Sequence, residues 1–254
     1  MRSACGYAIY RGITTGLNEA FIIDNETKDA LVAEDPRSAE ILKPVLRGRD
    51  IQRFLPAWSG LWLIDTHNGY DNVPAIEIDD FPAVRSFLDS HYGKLARRYD
   101  RGRTPYNLRN CAYHADFAGP KLFWMDMSPE ARFAYSDDEM YCNNKGFLLT
   151  GASLRFLCAI LNSAIVTWFV RRTARTTGEG LVQWEKFAVE RIPVPRINQA
   201  ERRPLVELVN RILAAKSADA GAKTAGHEWE IDQLVYEVYG LTALEVSAVE
   251  ESQA

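Results

Sequence analysis

The chain has few cysteines for its length of 254 residues. The four that are present are widely scattered and never form the CxxC pair that is typical of structural zinc sites. They are Cys5, Cys111, Cys142 and Cys158. This pattern favours reduced, structural thiols in a cytoplasm over a zinc site. We therefore expect no bound metal and a cytoplasmic location.

Long hydrophobic runs are also absent. Residues Met1 to Gly6 lack the apolar region of a signal peptide. The most apolar stretch, Phe156 to Val170, is shorter than the ~20 apolar residues of a membrane-spanning helix, and it contains Asn162, Ser163 and Thr167. Its apolar side chains recur on one side, which predicts a buried core helix. A hydrophobic content of 47% is enough for a sizeable core in one larger domain with an appendage.

Motifs of common catalytic centres are missing as well. Gly178 to Gly180 is a lone GxG without the rest of a nucleotide fingerprint. Asp65, His67 and Asp71 are metal-ligating residue types, but their spacing matches no metal signature. A strand end that passes into a turn explains the same residues. Because no nucleophile–base pair or nuclease pattern stands out, no hydrolytic centre is predicted.

The net charge of −4 conceals an uneven distribution. From residue 217 to the end, Lys223 is the only cation against eight carboxylates, so this tail carries −7 and residues 1 to 216 carry +3. Between Arg85 and Lys121, eight cations face three carboxylates. A local field of this sign attracts phosphate groups, although a solvated helix face is the alternative interpretation.

A polar, glycine-containing loop lies near the start of the chain. Two apolar runs suited to strands, Ile9 to Arg11 and Phe21 to Ile23, flank the segment Gly12 to Glu19. Its glycines permit positive φ or close backbone approach, and its polar side chains suit phosphate groups or base edges. The candidate side chains are Arg11, Thr14, Thr15 and Asn18. An ordinary hairpin loop is the alternative.

A second polar loop runs from Asp100 to Tyr113. It follows a helix that is predicted to begin at Asp79 or Asp80, with Pro82 near its first turn. Arginine forms bidentate contacts to guanine or phosphate, asparagine does so to adenine, and tyrosine offers a stacking face. The candidates in this region are Arg97, Arg98, Arg101, Arg103, Tyr106, Asn107, Arg109 and Lys121. Alternatively, the loop is structural and these side chains satisfy backbone carbonyls.

Five further segments, in their order along the chain, carry a family resemblance. They are ILKPVLRGRDIQRF (Ile41 to Phe54), WLIDTHNGY (Trp62 to Tyr70), PKLFWMDMS (Pro120 to Ser128), LLTGASLRFLCAILNSAIVTWF (Leu148 to Phe169) and VERIPVPRI (Val189 to Ile197). Together with YRGITTGLNEAFIID (Tyr10 to Asp24), they resemble the TaqI-like C-terminal specificity domain of adenine-N6 DNA methyltransferases and fused restriction-modification enzymes. The last segment and the helix after it are also similar to type I restriction specificity subunits.

The resemblance implies a mixed α/β target-recognition domain, with a twisted mixed sheet and packed helices, that binds double-stranded DNA. The catalytic domain of the family, which needs S-adenosylmethionine, carries a glycine-rich motif and an Asn-Pro-Pro-Tyr motif that are both missing here. We therefore expect a recognition half without its catalytic half, with no cofactor of its own. The expected partners are DNA and a methyltransferase domain or subunit. The expected setting is restriction-modification or phage defence.

Two more groups of arginines complete the candidate residues. Arg171, Arg172 and Arg175 form a second basic loop that suits phosphate, and Arg47 and Arg53 are candidates for the DNA or the catalytic-domain interface.

The predicted divisions are a recognition domain (1–198), a spacer helix (199–216), a linker (217–226) and an acidic helical appendage (227–254). Pro204 is expected in the first turn of the spacer helix. Gly240 is expected to end one helix of the appendage, and Thr242 with Glu245 is expected to cap the last one. The rival hypothesis is a protein-interaction subunit of a defence complex, in which the basic loops are incidental.

Overall fold

The computed structural model describes residues 6–177 and 180–252. Cys5 and the Gly178–Glu179 part of the lone GxG lie outside these residues. The strands are β1 (Ala8–Arg11), β2 (Ile22–Ile23), β3 (Leu42–Leu46), β4 (Trp62–Ile64), β5 (Lys121–Met125), β6 (Met127–Ser128), β7 (Phe133–Ser136), β8 (Tyr141–Cys142), β9 (Gly146–Thr150) and β10 (Val182–Gln183). The α-helices are α1 (Asn18–Phe21), α2 (Asn25–Glu34), α3 (Pro82–Asp89), α4 (Tyr92–Leu95), α5 (Leu154–Asn162), α6 (Ala164–Thr173), α7 (Lys186–Glu190), α8 (Gln199–Ala218), α9 (Ala225–Tyr239) and α10 (Ala243–Glu251).

The strands form two four-stranded sheets and a small ribbon. The central sheet has the order β1-β9-β5-β7 and is antiparallel throughout. The second sheet has the order β2-β4-β3-β8, in which only the β3–β8 pair is parallel, and β6 pairs with β10. Together with the helices this is the mixed α/β architecture that was predicted.

The central sheet is buried on both faces because its strands are apolar at odd and even positions alike. Leu122 and Trp124 of β5 belong to a core shared with α5, α6, α8 and α9. Phe123 between them faces the second core, together with Leu148 of β9. Since successive side chains of a strand point to opposite faces, one face of the central sheet packs on the first core and the other face packs on the second.

The apolar stretch from Phe156 to Val170 forms two helices instead of the single predicted one. The side chain of Asn162, at the end of α5, accepts from the Phe133 N–H (2.9 Å) and donates to the Phe133 carbonyl (2.8 Å). Ser163 is extended, and α6 begins after it with a bend of 67°. α5 is almost wholly buried, as the periodicity predicted, whereas α6 buries only the face that carries Val166, Thr167 and Val170. Within the described residues, no single helix has the length and hydropathy to cross a membrane. The bent pair α5 and α6 has that length and hydropathy only when the two helices are taken together.

The helix predicted between the two polar loops is also divided. A 3₁₀ turn (Ile78–Asp80) precedes α3, and α4 follows after a break. The residue before α3 is Phe81, which makes no side-chain cap, so the expected cap at Asp79 or Asp80 is wrong. Pro82 occupies the first turn as predicted, where its missing N–H has no helical partner to lose.

Three helices close the chain. An Asn198–Glu201 capping box starts α8. Pro204, which was expected in the first turn, therefore lies inside the helix. Gly240, with φ 67°, ends α9, and Thr242 with Glu245 forms the predicted capping box of α10. Buried side chains of α8 and α9 enter the core beneath α5, namely Leu205, Leu208, Val209, Ile212, Ile231 and Val235.

Candidate nucleic-acid interface

The Gly12 to Glu19 loop connects two different sheets. β1 before it belongs to the central sheet, and β2 after it belongs to the second sheet, so the hairpin alternative is wrong. The Gly12 N–H donates to the Gly146 carbonyl (2.9 Å). A Cβ atom at Gly12 would overlap the carbonyl oxygen of Asn143, so this approach requires glycine. The loop therefore lies where the two sheets meet.

Side chains within this loop divide into internal and external ones. Thr15 is buried, and its hydroxyl donates to Asn18 Oδ1 (2.6 Å) and accepts from the Leu17 N–H (3.2 Å). It shapes the loop from within, so its assignment to DNA is corrected. Thr14 is half-buried and Asn18 is exposed. The amide nitrogen of Asn18 has no acceptor among the described residues and is available as a donor.

Arg98 anchors both predicted loops from the inside. Only 7% exposed, its guanidinium donates to four backbone carbonyls and lies 4.4 Å from the centre of the Phe21 ring. The acceptors are the carbonyls of Thr15, Asp100, Pro105 and Asn107. Burial lowers the pKa of Arg98 to about 10. The prediction that Arg98 faces DNA is wrong, because the residue is buried and both terminal nitrogens of its guanidinium bond to backbone carbonyls of the loops.

Asn107 and Lys121 are interior residues too. Asn107 is 1% exposed and donates to the Ile76 carbonyl (2.9 Å). The Lys121 ammonium is buried and donates to the carbonyls of Gly119 (2.5 Å) and Asp138 (2.7 Å). Burial lowers the pKa of Lys121 to about 8. Both assignments are corrected, because buried side chains cannot reach a DNA surface.

The remaining arginines of the second loop lie at the surface. Arg97 is exposed, and its guanidinium has no hydrogen-bond or ion-pair partner in the described part of the chain. Arg101 donates to the Ala96 carbonyl (2.9 Å), Arg103 pairs with Glu77, and Arg109 pairs with Asp100 (3.1 Å). Exposed ion pairs of this kind are worth about 0–1 kcal/mol. These cations can therefore exchange their present partners for phosphate at little cost.

A turn between β8 and β9, Asn143 to Lys145, meets both loops. Arg11 is half exposed, donates to the Asn144 carbonyl (2.8 Å) and lies 3.4 Å from the Asp126 carboxylate. Lys145 is exposed, and its ammonium has no partner among the residues described. The three segments border one depression lined by Thr14, Gly16, Leu17, Asn18, Glu19, Lys94, Asp100 and Asn144. We call this depression, together with the segments 11–19, 97–113 and 143–145 around it, the loop junction.

Comparisons with known proteins match most of the chain. The family model of the TaqI-like C-terminal specificity domain matches residues 43–194, more than half of the chain. The chain belongs to this family. The type II methyltransferase M.PaeR7I of Pseudomonas aeruginosa is 26% identical over 246 residues, which are 94% of this chain and 39% of that protein. The chain thus spans about two fifths of this relative.

Two solved structures share the fold of this specificity domain. One is the type IIL restriction-modification enzyme MmeI in complex with DNA, with a TM-score of 0.73 and 15% identity. The match covers 95% of this chain and 33% of MmeI. The other is the type IIG restriction endonuclease BpuSI, with a TM-score of 0.55 and 17% identity, covering 92% of this chain and 31% of BpuSI.

Arg47 and Arg53 of the specificity domain are held by carboxylates. The Arg47 guanidinium bonds to Asp50 (3.0 and 3.1 Å) and to the Ser59 hydroxyl (2.9 Å). Arg53 reaches across to Glu228 of α9, with contacts of 2.9 and 3.0 Å. The structure therefore joins Arg53 to the C-terminal helices and not to the loop junction.

The other predicted residues lie at different places. The Tyr106 hydroxyl donates to the Asp89 carboxylate, and burial, followed by this bond, raises its pKa. Arg171 donates to the carbonyls of Pro129 (3.1 and 3.2 Å) and Ser252 (2.9 Å). Arg171 and Arg172 lie in the last turn of α6, so the predicted basic loop is wrong for both. Arg172 lies on the Trp168 ring (4.2 Å), and Arg175 is exposed after α6.

Two signals at the loop junction escaped sequence reasoning. Lys145 lies in the sequence Asn143-Asn144-Lys145-Gly146, which is typical of a turn, but nothing local shows that this turn meets the first loop. Lys94 pairs with Glu19 across the same depression. Among the described residues, no group of three or more His, Cys, Asp or Glu side chains could hold a metal ion.

Proposed function

We propose that this chain is the sequence-specific DNA-recognition module of an adenine-N6 DNA methyltransferase in a restriction-modification or phage-defence system, and that it binds DNA without methylating it. One observation carries the proposal. In a TaqI-like specificity domain, two polar loops and a basic turn meet at the loop junction, where the exposed cations have weak internal partners or none.

The surface cations of the loop junction would set the register on DNA. Arg97 and Lys145 are exposed without partners among the described residues, and Arg11 is half exposed. Each can neutralise a backbone phosphate and release a counterion. Because phosphates are the same in every sequence, these contacts position the protein but do not specify a site.

Base readout would come from side chains with a planar donor pattern. Arg101, Arg103 and Arg109 are exposed on the second loop. Asn18 of the first loop lines the depression to which Asp100 of the second loop also contributes. An arginine fork fits O6 and N7 of guanine, and an asparagine amide fits adenine, each worth about 1–3 kcal/mol of discrimination. The buried Arg98 fixes the backbone from which these groups extend.

Catalysis would belong to a methyltransferase domain or subunit that binds S-adenosylmethionine. The matched region takes up 39% of M.PaeR7I, which leaves most of that relative for other functions. A methyltransferase must extrude the target base from the duplex, and a firm grip on the flanking DNA supports that step. Such a module would work in the cytoplasm. Arg47 and Arg175 are further candidates for contacts to DNA or to the catalytic domain.

A second candidate function is assembly of a defence complex. Trp229 of α9 is 61% exposed and Leu244 of α10 is 84% exposed, on helices that are otherwise acidic. Exposed apolar side chains on a polar background suit a protein partner. This function is compatible with DNA binding at the loop junction, and it becomes the better proposal where DNA binding is absent.

The test is fluorescence anisotropy of a labelled DNA duplex against the purified chain, from low to physiological salt. We expect a Kd of roughly 10⁻⁴ to 10⁻⁶ M that weakens steeply with salt. The double variant R97A/K145A should lower the slope of log K against log salt by about 0.9 for each phosphate that the protein no longer neutralises.

The matched control is R211A, because Arg211 is an exposed cation on α8, away from the loop junction. Its slope should equal that of the unchanged protein. Absence of binding at low salt would contradict the proposal and favour the assembly function. Equal slopes for the double variant and the control would remove the loop junction as the binding surface.

A further inference from the structure

Tyr99 is the most exposed aromatic side chain in the described part of the chain. Its exposed fraction is 96%, against 61% for Trp229 and 46% for Tyr92 and Phe187. Neither its ring nor its hydroxyl has a partner among the described residues. An aromatic ring without internal contacts adds no packing stability, and its whole surface is free to contact an external partner.

The backbone on both sides of Tyr99 is fixed. Arg98, which precedes it, is buried and bonds to four carbonyls, including that of Asp100 (2.9 Å). The Asp100 carboxylate accepts from Arg109 (3.1 Å), and the Arg101 N–H donates to the Tyr99 carbonyl (3.0 Å). A side chain displayed from such a rigid segment loses little conformational entropy on binding. The backbone that carries the ring is therefore preorganised, and the tyrosine has only two side-chain torsions to order on binding.

The surroundings of Tyr99 define the chemistry of that partner. Exposed cations lie two residues before it and two residues after it, at Arg97 and Arg101. An apolar protein surface would have to desolvate both guanidinium groups. A nucleic acid offers the matching combination, since anionic phosphates lie next to the flat apolar faces of the bases. The flanking charges thus favour a nucleobase over a protein side chain.

We propose that Tyr99 stacks on the face of a nucleobase that bound DNA leaves unpaired. This inference rests on the proposed function and adds to it a contact that phosphate binding alone does not need. Stacking depends on ring area and not on charge, and it is tolerant of base identity. It would let the domain hold DNA that is locally opened, as base extrusion requires.

The test uses a fluorescently labelled oligodeoxythymidylate, whose unpaired bases are all accessible, beside an intact duplex of the same length. For the full chain, Y99A should weaken binding of the single strand by about 5- to 150-fold at every salt concentration, with an unchanged salt slope. Y99F should bind like the unchanged protein because it keeps the ring. R97A should instead lower the slope by about 0.7 on the single strand.

Two controls separate stacking from other effects. W229A removes a second exposed aromatic ring on α9, and its affinity should not change. Photocrosslinking to an oligonucleotide that carries 5-iododeoxyuridine, followed by mass spectrometry, should attach the base to Tyr99. All variants should keep the circular dichroism melting curve of the unchanged protein, since their side chains are exposed.

The outcomes separate this proposal from the one beneath it. Failure of the unchanged protein to bind either DNA would overturn the proposed function, and this inference with it. Binding by Y99A that equals that of the unchanged protein would overturn stacking alone. Equal losses in Y99A and Y99F, with a reduced salt slope in both, would also overturn it, because they would indicate a contact from the hydroxyl to a phosphate.

Discussion

Arg98 stabilises the loop junction from beneath its surface. Its guanidinium bonds to carbonyls of both loops, among them those of the buried residues Thr15 and Asn107. Removal of the guanidinium would leave the buried Thr15 carbonyl without a donor among the described residues and the Asn107 carbonyl with only the Gly102 N–H. Buried polar groups without partners cost about 1–3 kcal/mol each, and more when the lost partner was charged.

We therefore predict that R98M lowers the free energy of unfolding by about 2–4 kcal/mol. The neighbouring change R97M should alter it by less than about 0.5 kcal/mol, because Arg97 is exposed and has no partner among the described residues. Urea denaturation at pH 7, followed by circular dichroism, measures both. Equal stability of the two variants would contradict the anchoring role.

The contrast between these two arginines shows where sequence reasoning about the site stopped. The composition of the loop predicted a basic, polar segment, and five of its eight candidates, Arg97, Arg101, Arg103, Tyr106 and Arg109, are not in the interior. The burial of Arg98 depends on carbonyls that come from positions 15 and 105 as well as nearby ones. No local pattern contains that convergence, so adjacent and identical residues could not be told apart.

At the scale of elements, α6 depends on a cap from another helix. The Asp232 carboxylate of α9 accepts from the N–H of Ala164, the first residue of α6, at 2.8 Å. Burial raises the pKa of Asp232 to about 6, and the carboxylates of Glu228 and Glu250 add to the rise, while the Ala164 bond and Arg53 oppose it. The folded protein therefore holds a proton on this group more tightly than the unfolded chain does.

We predict that this group destabilises the folded protein as the pH rises from about 4 to about 6. Its contribution is fully present below the unfolded pKa of 3.8 and is lost as the pH passes the folded pKa of about 6. The total change should be about 3 kcal/mol. D232N keeps an acceptor for Ala164 and cannot ionise, so it should flatten the pH profile of urea unfolding in this range. Parallel profiles for both proteins would contradict the assignment.

Local signals predicted the ends of elements well where the stabilising contact is itself local. The Thr242–Glu245 capping box and the glycine at position 240 lie within a few residues of the helix ends that they define. The break after α5 depends instead on Asn162 and the backbone of Phe133, 29 residues away. Hydrophobic periodicity continues across that break, so it predicted one helix.

At the scale of the whole molecule, the C-terminal helices share the core of the recognition domain. Ile231 and Val235 of α9 are buried with side chains of α5, α6 and α8, and Arg53 pairs with Glu228. The division of the chain into a recognition domain, a spacer, a linker and an appendage stays a prediction. The shared core nevertheless suggests a direct experiment.

We predict that a chain truncated after residue 218 does not fold stably. Loss of α9 uncovers the apolar faces of α5 and α8, and each large apolar side chain that loses its burial costs about 1.5–3 kcal/mol. Removal of Ile231 and Val235 alone approaches the stability of a typical domain. Size-exclusion chromatography and thermal melting compare the truncated and full chains. An unchanged melting temperature would instead support an independent appendage.

Family resemblance and composition were sufficient for the fold class, the polar loops and the burial of the apolar stretch at α5, because these depend on patterns within single segments. The sharing of one junction by the first loop, the second loop and the Asn143 to Lys145 turn depends on sheet order. β8 and β9 follow one another in sequence but pair in different sheets, and this places their turn against Gly12. Such pairings are set by tertiary packing and are not written in any one segment.

The separation of interior anchors from displayed side chains has a practical consequence for protein engineering. Arg98 and Asn107 are buried. Arg97 and Tyr99 on either side of Arg98, and Arg101 after them, are exposed. A library that randomises the outward positions and leaves the inward ones intact changes the chemistry of the surface without disturbing its support. The backbone of the loop would then stay constant while the side chains on its surface vary.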